Sequence, residues 1–382
     1  MLPSAKERNH ANTPQNGGHC QPNVYSNPPP TASFELANYT FLKTLIETEN
    51  IPCNWTTTPG VHALYSPHLV TLAQRNITRL KELDPSLAET VHLATDPSEL
   101  AGLRLTGAVG AVVQKNAASL WPYRLVTWVM EDLLARFDSL NLQTKTSVVD
   151  IQRHGSSWIV HTPRGQICAS QVLVACNGYT SRIIPNFTNL IVPVQGHVAA
   201  LSPEWKDTDP LGNTYVFMSE GEKEMDDYLV QSRTAHLIYG GGRTLGKDKG
   251  WGISADDITD PVVASHLRKN LNTVLSPGGE DGGEMRADYE WSGIMGFSAD
   301  ASPWVGQLPP SLVGGGGLFV CGGYTGHGMP NAALSAKAVV AMMGGQDGDL
   351  PDAYRVAEGR VARVLSGEKL SVEDYEELVP LI

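Results

Sequence analysis

The sequence contains no stretch of 18 consecutive apolar residues, no paired-cysteine spacing, no surplus of basic residues and no glycine before Gly17. The missing apolar run argues against a membrane-spanning helix. Residues 1–18 carry no apolar core, so no secretory signal is expected there. Cys20, Cys53, Cys168, Cys176 and Cys321 are odd in number, scattered and without CxxC spacing. They read as reduced thiols in a cytoplasmic protein, with no disulfide framework and no metal site. Lys and Arg total 28 against 40 Asp and Glu, a net charge of −12. Nucleic acid and anionic membrane surfaces reward clustered basic residues, so neither is expected as a partner. A small molecule is. The sequence carries no signal for oligomeric state.

The late first glycine has its own consequence. A dinucleotide-binding GxGxxG turn needs a strand before it and a helix after it. No such unit can precede Asn16. The one formal match, Gly250-Trp251-Gly252-Ile253-Ser254-Ala255, follows the charged TLGKDK and precedes the acidic DDITD. Phosphate would be unwelcome there, and the match is a decoy.

A chain of 382 residues, 41% hydrophobic and 18% charged, is long enough for two domains or one large interleaved α/β unit. Apolar spacing predicts helices over residues 31–50, with Ser33 as N-cap, and over 66–83. Further helices are expected from near Pro122 to 137, over 254–275 and in the tail from 352. Residues 52–60 read as loop. Three short β-rich runs from 144 end in a buried strand over 171–176. From about 190 a series of short runs separated by Pro, Gly and acidic residues predicts an antiparallel sheet.

The most informative stretch is the apolar run Leu318–Cys321, the glycine-rich Gly322–Pro330, and the apolar helix pattern from Asn331 to Met343. Strand, glycine loop and helix in that order let backbone approach a bound group, with free N–H donors and a positive dipole end aimed at it. An ordinary strand-to-helix turn is the alternative, but it needs fewer glycines.

Four pieces in order, NGGHCQP at 16–22, QVLVACNGYTSRIIP at 171–185, DYEWSGIMGFSADASPWVG at 288–306 and GGYTGHGMPNAALSAK at 322–337, carry a resemblance. Together they resemble the D-amino-acid-oxidase superfamily of flavoproteins, in the branch similar to glycine/sarcosine oxidases and γ-glutamylputrescine oxidase. The resemblance covers nearly the whole chain. It implies an α/β fold with a glutathione-reductase-like FAD-binding domain, incomplete at its start, and an interleaved substrate domain on a mainly antiparallel sheet. The cofactor domain would comprise 1–55, 118–190 and 288–382, and the substrate domain 56–117 and 191–287. The implied activity is FAD-dependent oxidation of a C–N bond in an amine or amino acid, giving an imine, with O2 reoxidising the flavin.

On that resemblance FAD would lie against Asn16, Gly17, Gly18 and His19, against Asn177, Gly178 and Tyr179, and against Gly323, Tyr324, Thr325, Gly326, His327, Gly328 and Met329. Val148 would meet adenine through its backbone. His19, His327 and Tyr324 are the implied catalytic residues. His19 would attach flavin covalently or orient substrate, and a loop histidine with a structural hydrogen bond is the alternative reading. Trp121, Tyr215, Tyr228, Arg233, Tyr239 and Arg243 are candidates for the substrate pocket, none fixed by a motif. Trp291 and Met295 would lie on the segment returning from the substrate sheet to the flavin face.

The departure from the family is the absent GxGxxG unit. A shortened chain that binds FAD poorly is one expectation. A flavin-free relative that uses the cavity for cyclisation, isomerisation or binding of a small metabolite is another. A third is a partner chain that donates the missing strands.

Overall fold

The structure, a computed structural model, describes residues 16–202, 210–221, 224–232, 236–275 and 283–367. Its largest element is a nine-stranded sheet. Eight strands run in the order His19–Cys20, Gly110–Ser119, Thr56–Leu64, Thr214–Ser219, Met225–Gln231, Leu237–Gly240, Ile191–Ser202 and Arg286–Ser298, and Val91–Ala94 pairs with Gly110–Ser119. Every neighbouring pair is antiparallel except Thr56–Leu64 with Thr214–Ser219. The mainly antiparallel sheet expected from residue 190 onward is present, extended by strands from the first third of the chain.

Side chains alternate between the two faces of this sheet. Val61, Ala63, Tyr215, Phe217, Leu229 and Tyr239 face one way and pack on Val263, Leu267 and Leu271 of the helix Pro261–Val274. His62, Val216 and Tyr228 face the other way. They fall in one row, because His62 pairs with Val216 and Val216 with Tyr228. One face is therefore a dry core and the opposite face is where polar side chains collect.

A second sheet holds Trp304–Gln307, Leu318–Gly322 and Val172–Val174, the last two parallel. A third is the meander Asp150–His154, Ser157–Thr162, Gly165–Ala169. The helix Ala332–Met343 follows the second sheet and lies against the helix Pro29–Thr48. Among the described residues no helix is long and apolar enough to cross a membrane.

Several boundaries differ from expectation. The first helix begins at Pro29, with Pro28 at the cap, rather than after Ser33. Proline rings preset φ near the helical value and lack the N–H that a first turn leaves unpaired. Residues 56–60 are strand, not loop, because Pro59 sits at a register shift between Thr58 and Gly60 where no ladder donor is needed. The helix expected over 254–275 starts only at Pro261, where the Asp260 carboxylate accepts from Val262 N and Val263 N. In the tail, a short turn at Asp352–Tyr354 precedes the helix Glu358–Leu365. The decoy at 250–255 follows a tight turn at Lys247–Gly250, not a strand.

Candidate active site

The glycine-rich loop is built from its two ends. Asn177, itself at φ 45°, accepts from Gly323 N at 2.9 Å and Tyr324 N at 3.4 Å through Oδ1. A left-handed conformation at a non-glycine residue is uncommon, and here it aims the amide at the loop. Gly323 and Gly326 are left-handed at φ 78°, and the β-branched Thr325 is held at φ 50°. Thr325 N donates to Gly296 O at 2.7 Å and its Oγ1 accepts from Ser298 N at 3.1 Å. Such a backbone persists only where its surroundings over-determine it, and that is characteristic of functional loops.

The far end is tied to the helix Pro29–Thr48. Asn38 Nδ2 donates to Met329 O at 3.0 Å, and Asn38 Oδ1 accepts from Leu334 N at 2.8 Å. Ala332 N donates to Gly328 O at 2.8 Å. Two of the donors expected to stand free at this helix start are therefore used internally. What faces the cavity is the loop Tyr324–Pro330, with the helix dipole behind it.

The loop walls a cavity of about 280 Å³. Asn16, Gly17 and His19 form part of the wall, and the sheet's polar face contributes His62, Val216, Asp226 and Tyr228. Gly241 and Arg243 close one side, and Gly293, Ile294, Met295 and Phe297 another. Gly17 lies so close under Tyr228 that a Cβ would overlap the phenol oxygen. At Gly326 and Gly328 the nearest atoms to an added Cβ are 3.6 Å away, so a side chain there would occupy cavity space.

Electrostatics divide the site. Burial, and secondarily the charge of His327, push His19 down to about 3, against an opposing hydrogen bond from Gln21. His62 is likewise pushed down to about 3 by burial, then by His19 and His327. Both rings are neutral at ordinary pH. His327 goes the other way: burial works against its charge, but Glu35 more than offsets it and the value is raised. His327 Nε2 lies 3.1 Å from Glu35 Oε2. Glu35 is 1% exposed and accepts from Asn23 N, Asn27 Nδ2 and Asn331 Nδ2 as well. A second charged pair, Asp226 Oδ2 with Arg243 Nη2 at 2.9 Å, stands on the opposite wall.

Of the residues singled out from sequence, Asn16, Gly17, His19, Asn177, Tyr324, Thr325, Gly326, His327, Gly328 and Met329 line this cavity. Gly18 and Gly323 support it from behind. Gly178 packs so that a Cβ would meet Met295 O at 2.6 Å. Tyr179 is outside the lining, its hydroxyl 2.9 Å from Asp256 Oδ2, and Val148 is half-buried away from it. His19 Nε2 is 3.1 Å from Thr214 Oγ1, and its ring stacks on Tyr228 at 5.9 Å.

Of the pocket candidates, Tyr228 and Arg243 line the cavity. Tyr215 and Tyr239 do not: strand alternation turns both into the dry core, where Tyr215 donates to Leu103 O and Tyr239 to Asp227 Oδ2. Trp121 caps the helix Pro122–Arg136 under the Arg124 guanidinium, away from the cavity. Arg233 lies outside the described residues. Met295 lines the wall and Trp291 does not. Glu35, His62 and Asp226 were not singled out. For Glu35 a signal exists: Glu35 and Asn38 stand three apart on a helix face bearing Phe34 and Leu42.

The residues fit the ring end of FAD: a glycine-lined slot, a helix dipole behind it and a polar wall opposite. Asn23 Oδ1, at the same cavity, has no hydrogen-bond partner among the described residues. Among the described residues no strand–GxGxxG–helix cradle for a pyrophosphate is present.

Comparison with known proteins defines the class. The family described as DAO, FAD dependent oxidoreductase, matches residues 5–342. The chain belongs to this family. A probable oxidoreductase OrdL of Rhizobium meliloti is 24% identical over 60% of this chain and 48% of its own length. Gamma-glutamylputrescine oxidoreductase of Escherichia coli is 24% identical over 67% and 54%. The chain thus spans about half the length of the curated relatives it matches. Glycine oxidase from Geobacillus kaustophilus superposes with a TM-score of 0.72 at 17% identity, over 91% of this chain and 88% of that one. The likeness to this and other family structures bears out the expected α/β FAD-binding fold.

Proposed function

We propose that this chain carries out FAD-dependent oxidation of a C–N bond in a small amine or amino acid, releasing an imine and returning electrons to O2. The observation that carries the reading is the cavity walled jointly by the glycine loop, the Asn16–His19 segment and the polar sheet face. Bound FAD would supply the acceptor for the hydride, which carries both electrons of the oxidation. Asn16, Gly17, Asn177 and Tyr324–Met329 would hold its ring.

The protein's own groups have definable tasks. A carbon next to nitrogen gives up hydride only when the amine is unprotonated. Neutral His19 accepts a hydrogen bond from such an amine without protonating it. Glu35 favours the charged form of His327, which when protonated would put positive charge at the loop where negative charge would develop on the ring. Val216, Met295 and Phe297 keep the wall apolar and the space between these groups dry.

The test is spectroscopic. Added FAD should bind with a visible flavin band, and amines should bleach that band without oxygen. A protein that stays colourless with FAD present overturns the reading. A flavin-free catalyst or binder is the second reading. It requires a thermal midpoint that is indifferent to FAD yet rises with another small ligand.

A further inference from the structure

Asp226 and Arg243 are the lone carboxylate and the lone permanent cation among the described residues lining the cavity. Their pairing is built from behind. Asp226 and Asp227 are adjacent on the strand Met225–Gln231 and so point to opposite faces. Asp227, fully buried, accepts from Gly242 N at 2.6 Å and Tyr239 Oη at 2.6 Å. That bond fixes the left-handed turn at Gly242 which presents Arg243 to Asp226. The Arg243 guanidinium also lies 5.5 Å from the Phe297 ring. Arg243 thus satisfies Asp226 Oδ2, while Asp226 Oδ1 has no hydrogen-bond partner among the described residues.

A carboxylate oxygen removed from water and left without a donor is costly. Burial pushes the Asp226 carboxyl upward and Arg243 opposes it. A donor brought by the ligand would relieve that cost. A carboxylate is a poor partner for the nitrogen being oxidised, however. It favours the ammonium form, and an ammonium carbon does not release hydride. The nitrogen at Asp226 is therefore a different one.

We propose that Asp226 is the specificity-determining residue for a second, non-reacting ammonium group, so that the ligand of this cavity is a diamine-like molecule rather than a simple monoamine. This rests on the C–N oxidation reading for the words second and non-reacting. The binding preference does not depend on it.

The experiment compares 1,4-diaminobutane with 1-aminobutane, by calorimetric titration of the full chain at one pH and salt concentration. The diamine should bind about tenfold more tightly, the order expected of one added charge-assisted hydrogen bond. Asp226→Asn should abolish the preference, and Arg243→Lys, which keeps a cation beside Asp226, should retain it. Equal affinities in the unaltered chain, no binding of either amine, or a preference that survives Asp226→Asn would each overturn the proposal. The wild-type comparison decides even if a variant does not fold. A colourless protein that still prefers the diamine would sink the oxidation reading and leave this one standing.

Discussion

His62 is 4% exposed, and its Nδ1 lies 3.0 Å from the Tyr25 hydroxyl in a setting that holds the ring neutral. Its value falls from the ordinary 6.5 to about 3. Between those limits the unfolded chain binds a proton that the folded chain refuses, so stability declines as pH is lowered through this window. Each unit of depression is worth about 1.4 kcal/mol. Thermal midpoints should fall steadily from pH 6.5 downward, and His62→Gln should flatten that acid limb. His327 has the opposite sign. Its raised value means the Glu35 contact stabilises most below the ordinary histidine value and is lost as pH rises through the folded one. Gly178→Ala would set a methyl 2.6 Å from Met295 O and 2.9 Å from Ile294 Cγ2. Backbone cannot yield there cheaply, so a loss of about 1–3 kcal/mol by denaturant titration is expected. At this scale legibility followed glycine. His19, Tyr324 and His327 sit in glycine-rich segments that mark close approach to a ligand. Asp226 and His62 sit in alternating strands, where a polar residue reads as solvent-facing until the partner strand is known.

Among elements, apolar spacing marks the helices Pro67–Leu83 and Pro261–Val274, but not the start of the second, which Asp260 sets by accepting first-turn N–H groups as Ser66 does in the first. The strand Thr56–Leu64 does not, since Pro59 masks the alternation and its bulge depends on the strand Gly110–Ser119 far along the chain. The joint between the helices Pro29–Thr48 and Ala332–Met343 is likewise invisible in sequence. Asn38, fully buried, bridges them with one bond to Met329 O and one from Leu334 N. Asn38→Ala should leave both groups unsatisfied and cost about 1–3 kcal/mol. It should also loosen the loop end that carries His327, read as faster amide exchange at Met329 and Leu334.

The whole molecule depends on a clasp from its last described helix. Arg360, 6% exposed, donates through Nε and Nη2 to Asp300, reaches the carbonyls of Ser302 and Pro303, and lies 3.7 Å over the Trp304 ring. Removing one partner of a buried pair strands the other. Arg360→Ala should therefore lower stability by about 3–5 kcal/mol in denaturant titrations.

The parallel seam of the nine-stranded sheet, where Thr56–Leu64 meets Thr214–Ser219, has a consequence in time. His19 and His62 lie on one side of it, Asp226, Tyr228 and Arg243 on the other. Neither half encloses a cavity until two segments remote in sequence have found each other, and contacts of that separation form slowly. Secondary structure should return early in refolding. Ligand recognition should return only in the last kinetic phase, as one event rather than by degrees.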